Sequence, residues 1–238
     1  MSGVSLLYKK EHPINDKIKI IIPTVGDIID SEVSYYGVVN TITAMPIDMM
    51  VQLDDLGIDF STIDEYELFL IMKIAIQEED TSLIFGDLDL SKFEVLINQE
   101  NNEIILRDET NDITIDRHIH SQIATVLRKI HGLEKNIRKP GNKEARDYML
   151  EKAKKKAKRN KNKEPTSQLE SLIVALVNTE QYKYNYEETR NMSIYQFNSS
   201  LQQIIHKIGY DNRMHGVYAG TVDYKSLSPA DLNWLSYN

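Results

Sequence analysis

KNIRKPGNKEARDYMLEKAKKKAKRNKNK, residues 135–163, is the stretch that organises this chain. It holds 13 Lys or Arg against three acids, Glu144, Asp147 and Glu151, a local net charge of +10. The 238-residue chain as a whole carries −8, so the remainder carries −18 (−8 less +10). Charge polarised in this way points to association with an oppositely charged surface more than to any one chemistry. Pro140-Gly141-Asn142 breaks the chain ahead of a Gly- and Pro-free run from Lys143 to Asn160. Ala145, Met149, Ala153 and Ala157 recur there at four-residue intervals, and Glu151 stands one turn before Lys155, so a helix with a thin apolar stripe is predicted. NKNKEPTS after it reads as a flexible break.

Upstream, KIKIII (17–22) reads as a strand stopped by Pro23. Thr24 with Asp27 has the spacing of a helix cap, followed by a helix over 31–44. Pro46 suits the first turn of a short helix over 46–53, closed near Gly57. Ser61 with Asp64 predicts a cap for a helix over 62–77, in which Ile63, Tyr66, Leu70 and Ile74 form a stripe. Phe69, Ile71 and Met72 lie off that stripe, so this helix should be buried on several sides. FEVLIN and EIILR flank QENN as a hairpin, with 113–115 as a third strand. Asp116 then caps a helix to about His131, where Gly132 fits the position just past the end.

Downstream, Ser167 with Glu170 and Ser193 with Gln196 repeat the capping spacing. Ile194, Phe197, Leu201, Ile204, Ile205 and Ile208 form the best helical stripe in the chain, and Phe197, Leu201, Ile204 and Ile208 are predicted core. QYKYNY (181–186) has a strand-like alternation or is an extended connector, and Ser228-Pro229 is expected to start a last helix carrying Trp234. The fold class is therefore α+β and mostly α-helical. A mixed segment with a small β-hairpin sheet spans 1–133, a basic helical connector 134–165, and a helical Tyr-rich segment 166–238.

The chain has no cysteine, which removes disulfides, thiol catalysis and thiolate metal sites and fits a reducing compartment. Its first residues lack a signal-peptide core, and its longest apolar runs fall far short of a membrane span, so no membrane partner and a cytoplasmic location are expected. His118 and His120 sit two apart, which points them to different helix faces, and they read as surface or capping residues. Asp87 and Asp89 beside Gly86 and Ser91 read as a turn and cap. None of the sequence motifs GxxxxGK[ST], GxGxxG, GxSxG or HExxH occurs, and no nucleophile has a partner, so the expectation is a non-enzyme without cofactor or metal.

The basic segment is left with two partner classes. Nucleic acid would be held through phosphates, but the helix has only Arg146 and Arg159 as arginines and only Tyr148 for stacking. Protein contact, or a plain solvated hinge between two lobes, is favoured over it, and the contact would use Lys152, Lys154, Lys155, Lys156, Lys158 and Arg159 as its cations. Eight of the 13 tyrosines and the single tryptophan follow Thr166, and Tyr218 and Trp234 are the interface candidates at that end.

The stretches SQLESLIVALVNTEQYKYNYEET, SIYQFNSSLQQIIHKI and GVYAGTVDYKSLSPADLNWL resemble the C-terminal region of proteins from the tail modules of bacteriophages that infect Gram-positive bacteria. IPTVGDII and PIDMMVQLDDLGIDFSTIDEYELFLIM are similar in style to the same group. The resemblance implies a tail-assembly chaperone or a small tail or baseplate protein. Such a protein acts on other phage tail proteins or on copies of itself, in the host cytoplasm during assembly or within the virion tail. It implies no enzymatic activity and transfers no site residue. A nucleic-acid-associated virion or packaging protein using residues 135–163 is the alternative.

Overall fold

A computed structural model describes residues 5–99, 102–160 and 167–235. Helix takes up 53% of the described residues beside two small antiparallel sheets, a mostly helical α+β fold. The first sheet pairs β1 (Glu11–Pro13) with β2 (Lys19–Ile21), a hairpin of which the sequence reading found only the second strand. The second has the order β3 (Glu94–Ile97), β4 (Ile104–Asp108), β5 (Ile113–Ile115), as the hairpin pattern predicted. Residues 100–101 of the QENN loop and residues 161–166 of the NKNKEPTS break lie outside the described residues.

The helices begin where side chains satisfy their free N–H groups. Thr24 and Asp27 form a reciprocal capping box on α1 (Val25–Ile29). On α4 (Glu65–Met72) the cap is Asp64 with Glu67, so the helix begins three residues later than the Ser61 cap predicted, and Ser61 instead donates to Asp59. A 3₁₀ turn, Lys73–Ile76, follows directly. Pro46 lies in turns ahead of α3 (Met50–Asp55) and does not open it. The short α5 (Ser82–Phe85) and the α9 helix (Tyr186–Asn191), which begins within the tyrosine-alternating stretch, were not foreseen.

The hub is α6 (Arg117–His131), begun by Asp116 accepting from the Ile119 N–H at 2.7 Å and closed by Gly132 at φ 64°. His120, Ile123, Ala124, Leu127, Arg128, Ile130 and His131 are all buried, a three-and-four spacing that gathers them on one broad face of the helix. α2 (Glu32–Thr43), α4, β2, β5 and α10 (Ile194–Tyr218) pack around it.

One hydrophobic cluster runs from Leu6 through α2 and α6 to Leu169, Ile173 and Leu176 of α8 (Gln168–Val177), and on to Ile194 and Phe197. Leu169, Ile173, Leu176, Tyr182, Ile194 and Phe197 therefore share one core with the described residues ahead of Lys143. Backbone bonds seal the joint: the Val25 N–H donates to the Met192 carbonyl and the Ile194 N–H to the Pro23 carbonyl, both at 2.9 Å. The Glu32 carboxylate accepts from the Gln168 and Leu169 N–H groups, capping α8 from a distant part of the sequence. Gly26 is required where α1 meets α9, because a Cβ there would lie 2.7 Å from Arg190 Cγ.

Burial on α10 stops early. Ile194 and Phe197 are fully buried, Leu201 and Ile204 are partly covered, and Ile208 is 37% exposed. The predicted core stripe thus holds at its start and fails at Ile208, where the helix has run past the body. The chain after α10 folds back as turns and a 3₁₀ piece, Tyr224–Ser226, and the expected last helix at Ser228 is absent among the described residues. Ser228 and Asp231 are instead bonded to each other across a turn. Phe197→Ala should cost about 3–5 kcal/mol, while Ile208→Ala should cost under about 1 kcal/mol. Paired urea titrations of the two variants check this difference.

Candidate functional site

The basic helix α7 (Lys143–Asn160) does not stand free in solvent. Met149 packs on a second small cluster made by Ile47, Leu53, Phe60 and Leu68. Arg146 pairs with Asp59 and Asp147, and Lys154 pairs with Asp54, so the helix lies along α3 and the loop that follows it. Asp59 sits below the ordinary carboxylate range, first because Ser61 hydrogen-bonds to it and then because Arg146 is near. The hydrogen bond from Lys154 to Asp54 pushes the lysine above its ordinary value.

Docking this face leaves the other face cationic. Lys155 pairs only with Glu151, along the helix at 2.7 Å. Lys152, Lys156, Lys158 and Arg159 have no ion pair among the described residues. Lys152, Lys155, Lys156 and Arg159 line a groove whose floor is Ile47, Met50, Met149 and Ala153. Arg138 and Asn136 carry that groove on into an adjoining pocket of about 310 Å³. Met45, Pro46, Phe60, Ile63 and Ile137 supply most of the pocket's apolar wall.

The polar groups at the base of the pocket are already engaged. Arg117 pairs with Asp64, and Glu65 takes both Arg128 and Lys135, the latter at 2.5 Å. Burial alone would raise Glu65, but the hydrogen bonds and charges of Lys135 and Arg128 outweigh it and hold the carboxyl below its usual value. The His120 ring bonds the Ile42 carbonyl at 3.1 Å and stacks on Phe69, with centroids 4.5 Å apart. His120 is therefore a core residue, where the sequence reading had placed both histidines at the surface; only His118 is exposed. Desolvation pushes His120 down to about 4, so it is neutral near pH 7. No group of three or more metal-ligating side chains gathers among the described residues.

Tyr218 and Trp234 lie elsewhere. Tyr218 ends α10 and is 80% exposed. Trp234 is 39% exposed, lies 5.6 Å from Lys207 Nζ at its ring centroid, and accepts through its carbonyl from Gln203 at 2.9 Å. Among the described residues no hydrogen bond or ion pair joins these two to the basic helix. The sequence reading named the lysines of α7 but missed Arg138, Lys139, Ile137 and the 45–63 wall. Arg138 and Lys139 were visible as charge, yet nothing local reveals that a wall some eighty residues upstream folds against them.

Residues 157–237 match the family model described as the YomV second domain, YomV being a Bacillus phage-region protein. The match takes in the last turn of α7, α8, α9, α10 and the turns that follow, and it marks this part of the chain as phage-related. No curated protein and no solved structure matches the chain. Among the described residues, no helix is long and apolar enough to cross a membrane.

His131, its Nε2 3.0 Å from the Tyr35 hydroxyl, is likewise pushed by burial down to about 4. Both histidines have an ordinary value of 6.5 when exposed, so between about pH 6.5 and 4 the unfolded chain takes up protons that the native one refuses. Stability should therefore fall on acidification through that window, by about 1.4 kcal/mol per pH unit for each histidine. Glu65, held low in the native state, adds a loss of the same sign once pH reaches the carboxylate range. Urea midpoints at pH 7.5 and 5 test this, and an unchanged free energy of unfolding would refute the buried-neutral assignment.

Proposed function

We propose that this protein is a bacteriophage tail or baseplate assembly component, non-enzymatic, that acts by binding another tail protein through the cationic face of α7. The observation that carries the reading is the pairing of cations that make no ion pair to the body of the protein with an apolar floor. Lys152, Lys155, Lys156 and Arg159 rim a groove whose base is Ile47, Met50, Met149 and Ala153. An apolar centre ringed by charge is the arrangement of a protein-binding surface. Phosphate backbones call for charge along an open face and for aromatic platforms beneath bases. Here Tyr148 is the one aromatic on the helix. The phage-associated family match over residues 157–237 supports the same setting. Assembly would take place in the host cytoplasm, with the protein then retained in the tail or released.

Replacing Lys152, Lys156, Lys158 and Arg159 by Glu leaves the Asp54 and Asp59 pairs intact and should change stability by only ~0.5 kcal/mol per site. The variant should fold normally yet fail to support tail assembly in a complementation assay. Mass spectrometry of purified virions and of assembly intermediates, made with and without the substitutions, identifies the neighbour that is lost. Tight duplex-DNA binding by the wild type, with a steep negative salt dependence, would instead assign the helix to nucleic acid.

A further inference from the structure

We infer that the enclosed end of the groove is an anchor pocket for an acidic peptide segment of the partner, taking one bulky apolar side chain with carboxylates on either side of it. This deepens the reading above and rests on it. Three observations support it. The first is size: at about 310 Å³ the pocket stands at the lower limit for a small-molecule site and suits one or two side chains. The second is the wall of Met45, Pro46, Ile47, Phe60, Ile63 and Ile137, in which Ile137 is 74% exposed at the rim. An isoleucine that open to water gains most by being covered.

The third is charge. The acids of the pocket, Asp64 and Glu65, already face Arg117, Arg128 and Lys135. Arg138 and Lys139 face none among the described residues, and they continue into the α7 cations of the adjoining groove. Across the two connected hollows the lining carries eight cations against two acids, a net of +6, in a chain whose net is −8. The matching occupant is acidic, and an extended segment can place its anchor in the pocket while its carboxylates reach Arg138, Lys139 and the α7 row. The aromatics of the pocket are engaged, and Tyr148 in the adjoining groove is the one exposed aromatic of the two linings. The Tyr66 ring lies under Arg117, the His120 ring is stacked inside on Phe69, and Phe60 is buried.

The test uses the full chain and a fluorescein-labelled synthetic peptide of about twelve residues, rich in Asp and Glu with a central Leu-Phe pair. Its companion has both apolar residues replaced by Ser, and a duplex oligonucleotide matches its net charge. Anisotropy titrations should show the anchored peptide binding about tenfold tighter than its serine companion and than the oligonucleotide. Arg138→Glu/Lys139→Glu and, separately, Ile137→Ser should each weaken that binding about tenfold, with unchanged circular dichroism and urea midpoint. Both variants lie on exposed residues outside α7. Equal affinity for the two peptides, tighter binding of the oligonucleotide, or no saturable binding would overturn the inference. So would concentration-dependent self-association that R138E/K139E abolishes, because it would give the pocket to a second copy. If the anchored peptide binds as expected but the chain has no part in tail assembly, the functional reading fails and the pocket stands. If assembly depends on the α7 cations while R138E/K139E and I137S change neither assembly nor peptide binding, the pocket falls alone.

Discussion

The rest of the structure depends on a buried ion pair. Arg128, on the face of α6 turned inward, donates both to Glu65 at the start of α4 and to the Thr43 carbonyl at the end of α2. One guanidinium thus satisfies an unpaired carbonyl at the negative end of one helix and the carboxylate in the first turn of another. Both bonds leave one guanidinium nitrogen, Nη2, of a group whose charge is permanent. Glu65 has a second donor in Lys135, the first residue of the basic segment, so the same carboxylate fixes where that segment leaves the core. Removing Glu65 would strand the buried Arg128 charge, a loss of about 3–5 kcal/mol in comparable sites. The orientation of α2, α4 and α6, and with it the wall of the pocket, follows from this junction.

The position of α7 follows in turn. A helix with so little apolar surface gains little by propensity alone and would fray if left in water. Met149 on the second cluster and ion pairs to Asp54 at the end of α3 and to Asp59 in the loop after it hold it in place. The contribution of the surface pairs is small, and their main effect is to decide which cations remain available. Arg146 and Lys154 are engaged by the body, and Lys152, Lys155, Lys156 and Arg159, which are not, form the rim of the groove.

What the sequence revealed was mostly local. The caps at Thr24, Asp116 and Ser193, the hairpin around QENN, and the extents of α6 and α7 could be read because each rests on residues a few positions apart. Readings that depended on distant partners did less well. His120 looked like a surface residue until the end of α2 and Phe69 were found to enclose it. Ile208 sits on a perfect stripe but has outrun the core that should cover it. The cations of the site were legible as composition, whereas its apolar wall was not, because Pro46, Phe60 and Ile137 come together only through the Glu65 junction.

The joint between the two ends of the chain has a temporal consequence. Pro23, Thr24 and Val25 are completed by Met192, Ser193 and Ile194, and Phe197 fills the last apolar space in the shared core. A ribosome working at about 5–20 residues per second needs roughly ten to thirty-five seconds to get from one side of that joint to the other. Throughout that interval the early segment presents Val25, Ile28 and their neighbours without the cover they have in the finished fold. The nascent chain is thus committed to closing late, over a loop of more than 160 residues, and its most vulnerable moment is during synthesis, before the protein meets any partner.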